Sequence, residues 1–94
     1  MDLGLRDKVV VVTGASKGIG YAAAKQFAEE GAQVLIAARG ETALTEASKK
    51  ILADTGVTVE AMPIDVSIVA DLDQLAKYTK ERFGRVDILV NNAG

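Results

Sequence analysis

The feature that most constrains this chain is a run of four valines that leads directly into glycines. The segment from Lys8 to Thr13 has no alternation of apolar and polar residues, which is typical of a parallel strand buried on both faces of a sheet. It is followed by Thr13-Gly14-Ala15-Ser16-Lys17-Gly18-Ile19-Gly20, within which helical periodicity begins. A buried strand that ends in glycines and opens a helix predicts an α/β fold with this strand at its centre.

The rest of the chain alternates between short β-branched runs and longer stretches of 3.6-residue periodicity. The predicted strands are Lys8 to Thr13, Gln33 to Ala38, Thr58 to Ile64 and Val86 to Val90. The first helix is predicted over Gly18 to Glu30, with Ile19, Ala23 and Phe27 on its buried face. The second has the apolar stripe Leu44, Ala47, Ile51 and Leu52 and ends at Gly56. The third is capped by Ser67, ends before Gly84 and has the stripe Leu72, Leu75, Ala76, Thr79 and Phe83.

This βαβαβαβ order predicts half of a Rossmann-like, doubly wound parallel sheet. Right-handed crossovers place the first two helices on one face and the third on the other, which gives the strand order 3-2-1-4. Pro63 favours an outer position for the third strand, because proline has no N–H for the middle of a sheet. We expect residues 1–94 to form one domain, since domains usually have about 100 to 150 residues.

The composition excludes several classes of function. The chain has no Cys and no His, which removes thiolate nucleophiles and the commonest metal ligands and general base. Its 11 basic and 13 acidic residues form no cationic stripe, so we expect no nucleic-acid partner. No apolar run approaches the roughly 20 residues of a membrane span, and the N-terminus lacks the pattern of a signal peptide. We therefore expect a soluble cytoplasmic chain.

The glycine-rich octet predicts a phosphate-binding turn. Glycines let the backbone turn tightly and approach a phosphate closely, while the helix that follows directs its free N–H groups at an anion. The spacing is G-x-x-x-G-x-G, which differs from both G-x-G-x-x-G and the G-x-x-x-x-G-K-[ST] of phosphate-loop NTPases. The alternative is that the glycines serve only helix packing.

Three motifs in order, at three predicted strand ends, resemble the short-chain dehydrogenase/reductase family. They are the octet, Asp65-Val66 and Asn91-Asn92-Ala93-Gly94, and the resemblance extends from Lys8 to Gly94. It implies that a dinucleotide pyrophosphate and its riboses are surrounded by Gly14, Ser16, Gly18, Ile19 and Gly20. It also implies that Asp65 and Val66 meet the adenine and that the cofactor cleft is lined by Asn91, Ala93 and Gly94.

Each of the later motifs also has a structural interpretation. Asp65 could satisfy free N–H groups at a helix entry, and the two asparagines could be turn residues. We expect Asn91 to hold the fourth strand to its neighbours even if it also lines the cleft.

The end of the second strand predicts the cofactor. Sites for NAD place an acidic residue there to bind the ribose 2′-hydroxyl, whereas an Arg accommodates the 2′-phosphate of NADP. Here Ala38 precedes Arg39, and Lys17 offers a second cation. The pattern predicts NADP(H); the alternative is that both cations are solvated.

The catalytic signature implied by the resemblance, Tyr-x-x-x-Lys with a Ser upstream, has no credible match. Tyr21 and Lys25 have the spacing, but they lie in the helix assigned to the pyrophosphate, and Tyr78 leads to Arg82. We therefore predict the NADP(H)-binding half of a carbonyl reductase or alcohol dehydrogenase, inactive by itself. The alternatives are a non-catalytic nucleotide-binding module and a self-associating fragment. The bare edge of the fourth strand predicts pairing with another copy or with a missing second half.

Overall fold

The computed structural model describes residues 6–16 and 18–92. Its elements in chain order are β1 (Val9–Thr13), α1 (Gly18–Glu29), β2 (Gln33–Ala38), α2 (Glu41–Thr55), β3 (Glu60–Pro63), α3 (Val69–Phe83) and β4 (Ile88–Asn91). The strands form one parallel sheet in the order β3-β2-β1-β4. The predicted Rossmann-like topology is confirmed.

Strand β1 lies inside the sheet and all five of its residues are buried. Val11 is in register with Leu35 of β2 and with Leu89 of β4. One face of the sheet forms a core with α1 and α2, in which Val10 and Val12 take part. The opposite face forms a smaller core with α3, which contains Val11, Leu35 and Leu75. The placement of two helices on one face and one on the other agrees with the prediction.

The buried face of α1 is shifted by one position along the chain from the predicted face. Its buried residues are Gly20, Ala24 and Ala28, whereas Ile19 is 80% exposed. Small residues at this spacing let the helix axis lie close to β1 and β2, which the bulkier set would prevent. The hydrophobicity of Ile19 was therefore misleading, because close approach and not side-chain size determines this face.

Several boundaries and caps also differ from the prediction. Strand β3 is shorter than expected and ends at Pro63, in an outer position as predicted, while β4 begins two residues later than Val86. Ser67 is not the cap of α3; Ile68 holds that position, because Ser67 donates instead to Asp65. The predicted stripes of α2 and α3 are only partly buried, the exposed members being Leu52, Leu72 and Ala76.

Asp87 joins β1 to β4 at the amino-terminal edge of the sheet. Its Oδ2 accepts a hydrogen bond from the Val9 N–H at 2.8 Å and another from Arg85 Nε at 2.8 Å, while its own N–H donates to the Val9 carbonyl at 2.9 Å. The Arg85 hydrogen bond, followed by that of Val9, holds the pKa of this carboxyl below its ordinary value. The ionised form of Asp87 therefore stabilises the pairing of these strands.

We predict that this contribution depends on pH. Because the pKa of Asp87 is lower in the folded chain, its contribution is complete above the unfolded value of about 3.9 and is lost as the pH falls through the folded value. Urea unfolding between about pH 6 and about pH 3 should show the wild-type advantage over Asp87→Asn shrinking as the pH falls. The control is Asp73→Asn, on the exposed side of α3. If the difference in unfolding free energy between the wild type and Asp87→Asn stayed constant over this pH range, the proposed role of Asp87 would be contradicted.

Candidate functional site

The predicted site residues lie at the carboxyl ends of the four parallel strands. The glycine-rich turn follows β1, Arg39 follows β2, Asp65 lies two residues beyond β3, and Asn91 ends β4. Because the strands are parallel, these ends meet at one edge of the sheet. Helices leave this edge on both faces, so it has the crevice in which doubly wound sheets bind ligands.

Backbone and side-chain hydrogen bonds hold the glycine-rich turn in place. The Ala15 N–H donates to the Ala37 carbonyl at 3.3 Å, which joins the turn to β2. Asn92 Nδ2 donates to the Gly14 carbonyl at 3.3 Å. The Thr13 hydroxyl donates to Asn91 Oδ1 at 2.9 Å and accepts from the Asn92 N–H at 3.2 Å. The turn is thus attached to both strands that flank β1.

Two of the glycines are required by close contacts. Gly14 has φ +63°, and a Cβ there would overlap the Asn92 carbonyl oxygen. A Cβ on Gly20 would overlap the Gly14 carbonyl oxygen and come within 2.8 Å of Asn92 Nδ2. The turn, the first turn of α1 and the end of β4 are therefore in contact at a spacing that only glycine permits.

The amino terminus of α1 opens at this edge. Gly18, Ile19 and Gly20 form its first turn, which has no acidic residue to offset the positive end of the helix. Ser16 is partly buried at the start of the turn. The other predicted residues of this region, Lys17, Ala93 and Gly94, lie outside the described residues.

Arg39 and Asp65 face each other across the ends of β2 and β3. Arg39 Nη1 lies 3.9 Å from Asp65 Oδ2, and the Arg39 side chain is 79% exposed. The other oxygen of Asp65, Oδ1, accepts from the Ser67 N–H at 2.9 Å and from its hydroxyl at 2.6 Å. These bonds from Ser67, aided by the charge of Arg39, hold the pKa of Asp65 below its ordinary value. A fixed anion and an exposed cation thus lie beside Val66, which is also exposed.

The structural interpretations of Asp65 and Asn91 each describe part of what these residues do. Asp65 does bind a free N–H, but that of Ser67 in a turn and not one of α3. Asn91 holds β4 to β1 through Thr13, as expected. Sequence reasoning missed the role of Asn92, whose side-chain amide binds the Gly14 carbonyl. The available signal was a polar residue directly after the fourth strand, at the same predicted edge as the glycine-rich turn.

The two tyrosines and Lys25 are engaged in structural contacts. Lys25 pairs with Asp54 at 3.5 Å, and Tyr21 packs against the core between the sheet, α1 and α2. The Tyr78 hydroxyl donates to Glu60 at 3.1 Å, a bond that raises the pKa of Tyr78. A tyrosine that acts as an acid and base near neutral pH needs a lowered pKa, so Tyr78 has the opposite environment.

The part of the chain that the structure describes contains no group of three or more acidic residues placed to hold a metal ion. In the same residues, no helix is both long enough and apolar enough to cross a membrane.

The fold and the glycine-rich edge define a Rossmann-like α/β domain. A family model described as short chain dehydrogenase matches residues 8–94. The chain belongs to this family.

Individual relatives support this family assignment. The chain is 44% identical over 90 residues to an uncharacterized oxidoreductase of Staphylococcus saprophyticus, a match that covers 96% of this chain and 38% of the relative. Among solved structures, L-sorbose reductase from Gluconobacter frateurii, complexed with NADPH and L-sorbose, superposes with a TM-score of 0.92 at 42% identity. That match covers 100% of this chain and 36% of the reductase. Actinorhodin polyketide ketoreductase with NADPH has a TM-score of 0.88 at 40% identity, over 94% of this chain and 33% of that one. The chain thus spans less than two fifths of the length of these relatives.

We predict that Gly20→Ala disrupts the turn. The added methyl would displace the Gly14 carbonyl or the Asn92 amide, and overpacking of this kind costs about 1–3 kcal/mol. Urea unfolding should show that loss, and the NMR resonances of the Asn92 side-chain amide should shift. Gly40→Ala is the control: Gly40 has φ −80° and its nearest neighbour would be the Ala43 Cβ at 3.8 Å, so the loss should stay below about 1 kcal/mol. Equal losses in the two variants would contradict the close contact at Gly20.

Proposed function

We propose that this chain is the NADP(H)-binding half of an oxidoreductase that transfers hydride between the cofactor and a carbonyl or alcohol substrate. The observation that carries the proposal is the meeting, at one sheet edge, of the glycine-rich turn with an exposed Arg39 and no carboxylate at Ala38. The family supports the reaction class, and the NADPH complexes of two structural relatives support the cofactor.

The residues present fit a dinucleotide pyrophosphate. The contacts at Gly14 and Gly20 keep the turn close to β4, and the N–H groups of the first turn of α1 have no acceptors within the helix. An anion placed there would accept these hydrogen bonds and be stabilised by the helix dipole. Gly14, Ser16, Gly18, Ile19 and Gly20 are the residues that we assign to this contact. Lys17, next to Gly18 in sequence, would bring a second cation to the ribose 2′-phosphate.

The remaining strand ends would hold the rest of the cofactor. We assign the adenine to Asp65 and Val66, and the ribose 2′-phosphate to Arg39, whose planar guanidinium can donate two hydrogen bonds to it. Asn91, Ala93 and Gly94 would line the cleft toward the nicotinamide. The cofactor supplies or accepts the hydride.

Proton transfer to the substrate would come from residues outside this chain. Lys25 forms an ion pair, Tyr21 packs against the core and Tyr78 forms a hydrogen bond with Glu60. We propose that residues 1–94 hold the cofactor and do not complete turnover alone.

We predict that Arg39→Ala reduces the affinity for NADPH by roughly 10- to 150-fold, because a hydrogen bond to a charged group contributes about 1.5–3 kcal/mol. NADH affinity should change little, since NADH has no 2′-phosphate. Isothermal titration of the 94-residue chain with both cofactors measures the difference, and Arg6→Ala, an exposed arginine before β1, is the matched control. Equal affinities of the wild type for NADPH and NADH, or an equal loss for both in Arg39→Ala, would contradict the proposed preference.

A second proposal, self-association, is favoured by the apolar surface beside β4. A groove of about 400 Å³ lies between α3 and the sheet, lined by Val11, Thr13, Val66, Leu72, Leu75, Ala76, Thr79, Val86, Leu89 and Asn91. Leu89 is 61% exposed, and within residues 6–16 and 18–92 only β1 pairs with β4. Its outer edge has no charged residue to prevent pairing with another chain. We propose that this edge is covered either by antiparallel pairing with β4 of a second copy or by a missing second half.

Antiparallel pairing between two copies of β4 would bring the two grooves together. A two-fold axis perpendicular to the sheet keeps both copies of α3 on the same face. Leu89 lies opposite Val11, which belongs to the core on the α3 face, so the two Leu89 side chains would meet there.

We therefore predict that sedimentation at micromolar concentration detects a dimer of the wild-type chain and that Leu89→Lys converts it to monomer. The substitution would place two like charges in the apolar contact. Leu52→Lys, a 45% exposed position on α2, should leave the dimer intact. A folded wild-type monomer, or a dimer that both substitutions affect alike, would refute pairing through β4.

A further inference from the structure

The ion pair between Arg39 and Asp65 lies at the position that we propose for the 2′-phosphate. The guanidinium and the carboxylate are 3.9 Å apart at the ends of adjacent strands. The Arg39 side chain is 79% exposed, whereas that of Asp65 is 28% exposed. The two partners therefore differ in how firmly the surrounding structure holds them.

Asp65 is the fixed partner. Its Oδ1 accepts two hydrogen bonds from Ser67, and its own N–H donates to Asp71 Oδ2 at 2.8 Å. Since Asp71 lies in the first turn of α3, the backbone of Asp65 is attached to that helix, while Ser67 holds Oδ1 and leaves Oδ2 3.9 Å from Arg39 Nη1. In the part of the chain that the structure describes, Asp65 is the one side chain recorded in an ion pair with Arg39.

A 2′-phosphate at this position would compete with Asp65. The phosphate is a dianion that needs the guanidinium, and it would lie near a carboxylate of the same sign. A ribose 2′-hydroxyl carries no charge and leaves the ion pair intact. Asp65 thus weakens binding of the phosphate in two ways, by holding Arg39 and by repulsion. Neither effect acts on the uncharged hydroxyl.

We propose that Asp65 is a specificity-determining residue that reduces the preference for NADP(H) over NAD(H) by competing with the 2′-phosphate for Arg39. This inference rests on the proposed function, because it assigns the 2′-phosphate to Arg39. Arg39 then provides the preference for NADP(H), and Asp65 limits its size. The pair sets a ratio of affinities and not the affinity for the adenine, which both cofactors share.

The test compares 2′,5′-ADP with 5′-AMP, which lacks only the 2′-phosphate, by isothermal titration of the 94-residue chain. Both probes contain the adenine, so an altered adenine contact cancels in the ratio of their dissociation constants. Asp65→Asn keeps an oxygen that can accept from Ser67 and removes the charge. Because an exposed ion pair contributes little, we expect the ratio in favour of 2′,5′-ADP to rise by only about 1.4- to fivefold.

Three further variants make the test specific. Asp73→Asn removes the same charge from the exposed side of α3 and should leave the ratio unchanged. In the Arg39→Ala background only the repulsion remains, because there is no guanidinium to release, so Asp65→Asn should raise the ratio by less than it does in the wild-type background. Ser67→Ala loosens the carboxylate without removing it, so the ratio should rise by a smaller amount even if Asp65→Asn fails to fold.

The outcomes separate this inference from the function on which it rests. A wild-type ratio of one would contradict the proposed 2′-phosphate site and the inference with it. A wild-type ratio above one that Asp65→Asn and Ser67→Ala leave unchanged would overturn the inference alone. A ratio that falls in Asp65→Asn would also overturn it, since it would show that Asp65 positions Arg39 for the phosphate.

Discussion

The close contact among Gly14, Gly20 and Asn92 is the constraint on which this structure depends. It brings the carbonyl of the turn, the first turn of α1 and the end of β4 together at a spacing that excludes any Cβ. The Asn92 amide supplies a hydrogen bond to the same carbonyl, so the contact is attractive as well as close. With α1 held there, its small residues Ala24 and Ala28 rest on the sheet and its amino terminus opens at the strand ends. Packing therefore fixes the same geometry that the proposed anion site requires.

The charged residues at the two ends of the strands have different environments. At the amino-terminal edge, Asp87 is surrounded by donors from Val9 and Arg85 and stabilises strand pairing. At the carboxyl edge, the glycine-rich turn contributes no acidic residue, and the carboxylate of Asp65 is engaged by Ser67 and faces Arg39. At the amino-terminal edge, the carboxylate of Asp87 is paired with its donors. The carboxyl edge has an exposed cation, Arg39, and a helix terminus without an acidic residue. This asymmetry is what makes the carboxyl edge suited to a ligand with several phosphates.

Much of the fold could be predicted because local patterns and crossover chirality act together. The unbroken valines of β1 indicated burial on both faces, and Pro63 indicated an outer β3; both predictions are confirmed. The buried face of α1 was wrong, because hydrophobicity favoured Ile19 where close approach required Gly20. Tertiary spacing of this kind has no signature in periodicity.

The site was predictable as a set of positions and not as a network. Strand order alone places Gly14, Arg39, Asp65 and Asn91 at one edge. Ser67 was assigned to the wrong partner, because a serine before a helix can bind either the helix or a neighbouring carboxylate, and only the three-dimensional structure decides between them. The roles of these residues toward a cofactor remain proposals that binding must test.

The most direct test of the central claim, that the four strand ends form one dinucleotide site, is an NMR titration of the ¹⁵N-labelled chain with NADPH. The account predicts that the largest amide shifts arise at Gly14, Gly18, Gly20, Arg39 and Val66. Residues at the amino-terminal edge, such as Asp87, should be unaffected. Shifts centred on that edge or in the groove beside Leu89, or no shifts at millimolar cofactor, would contradict the claim.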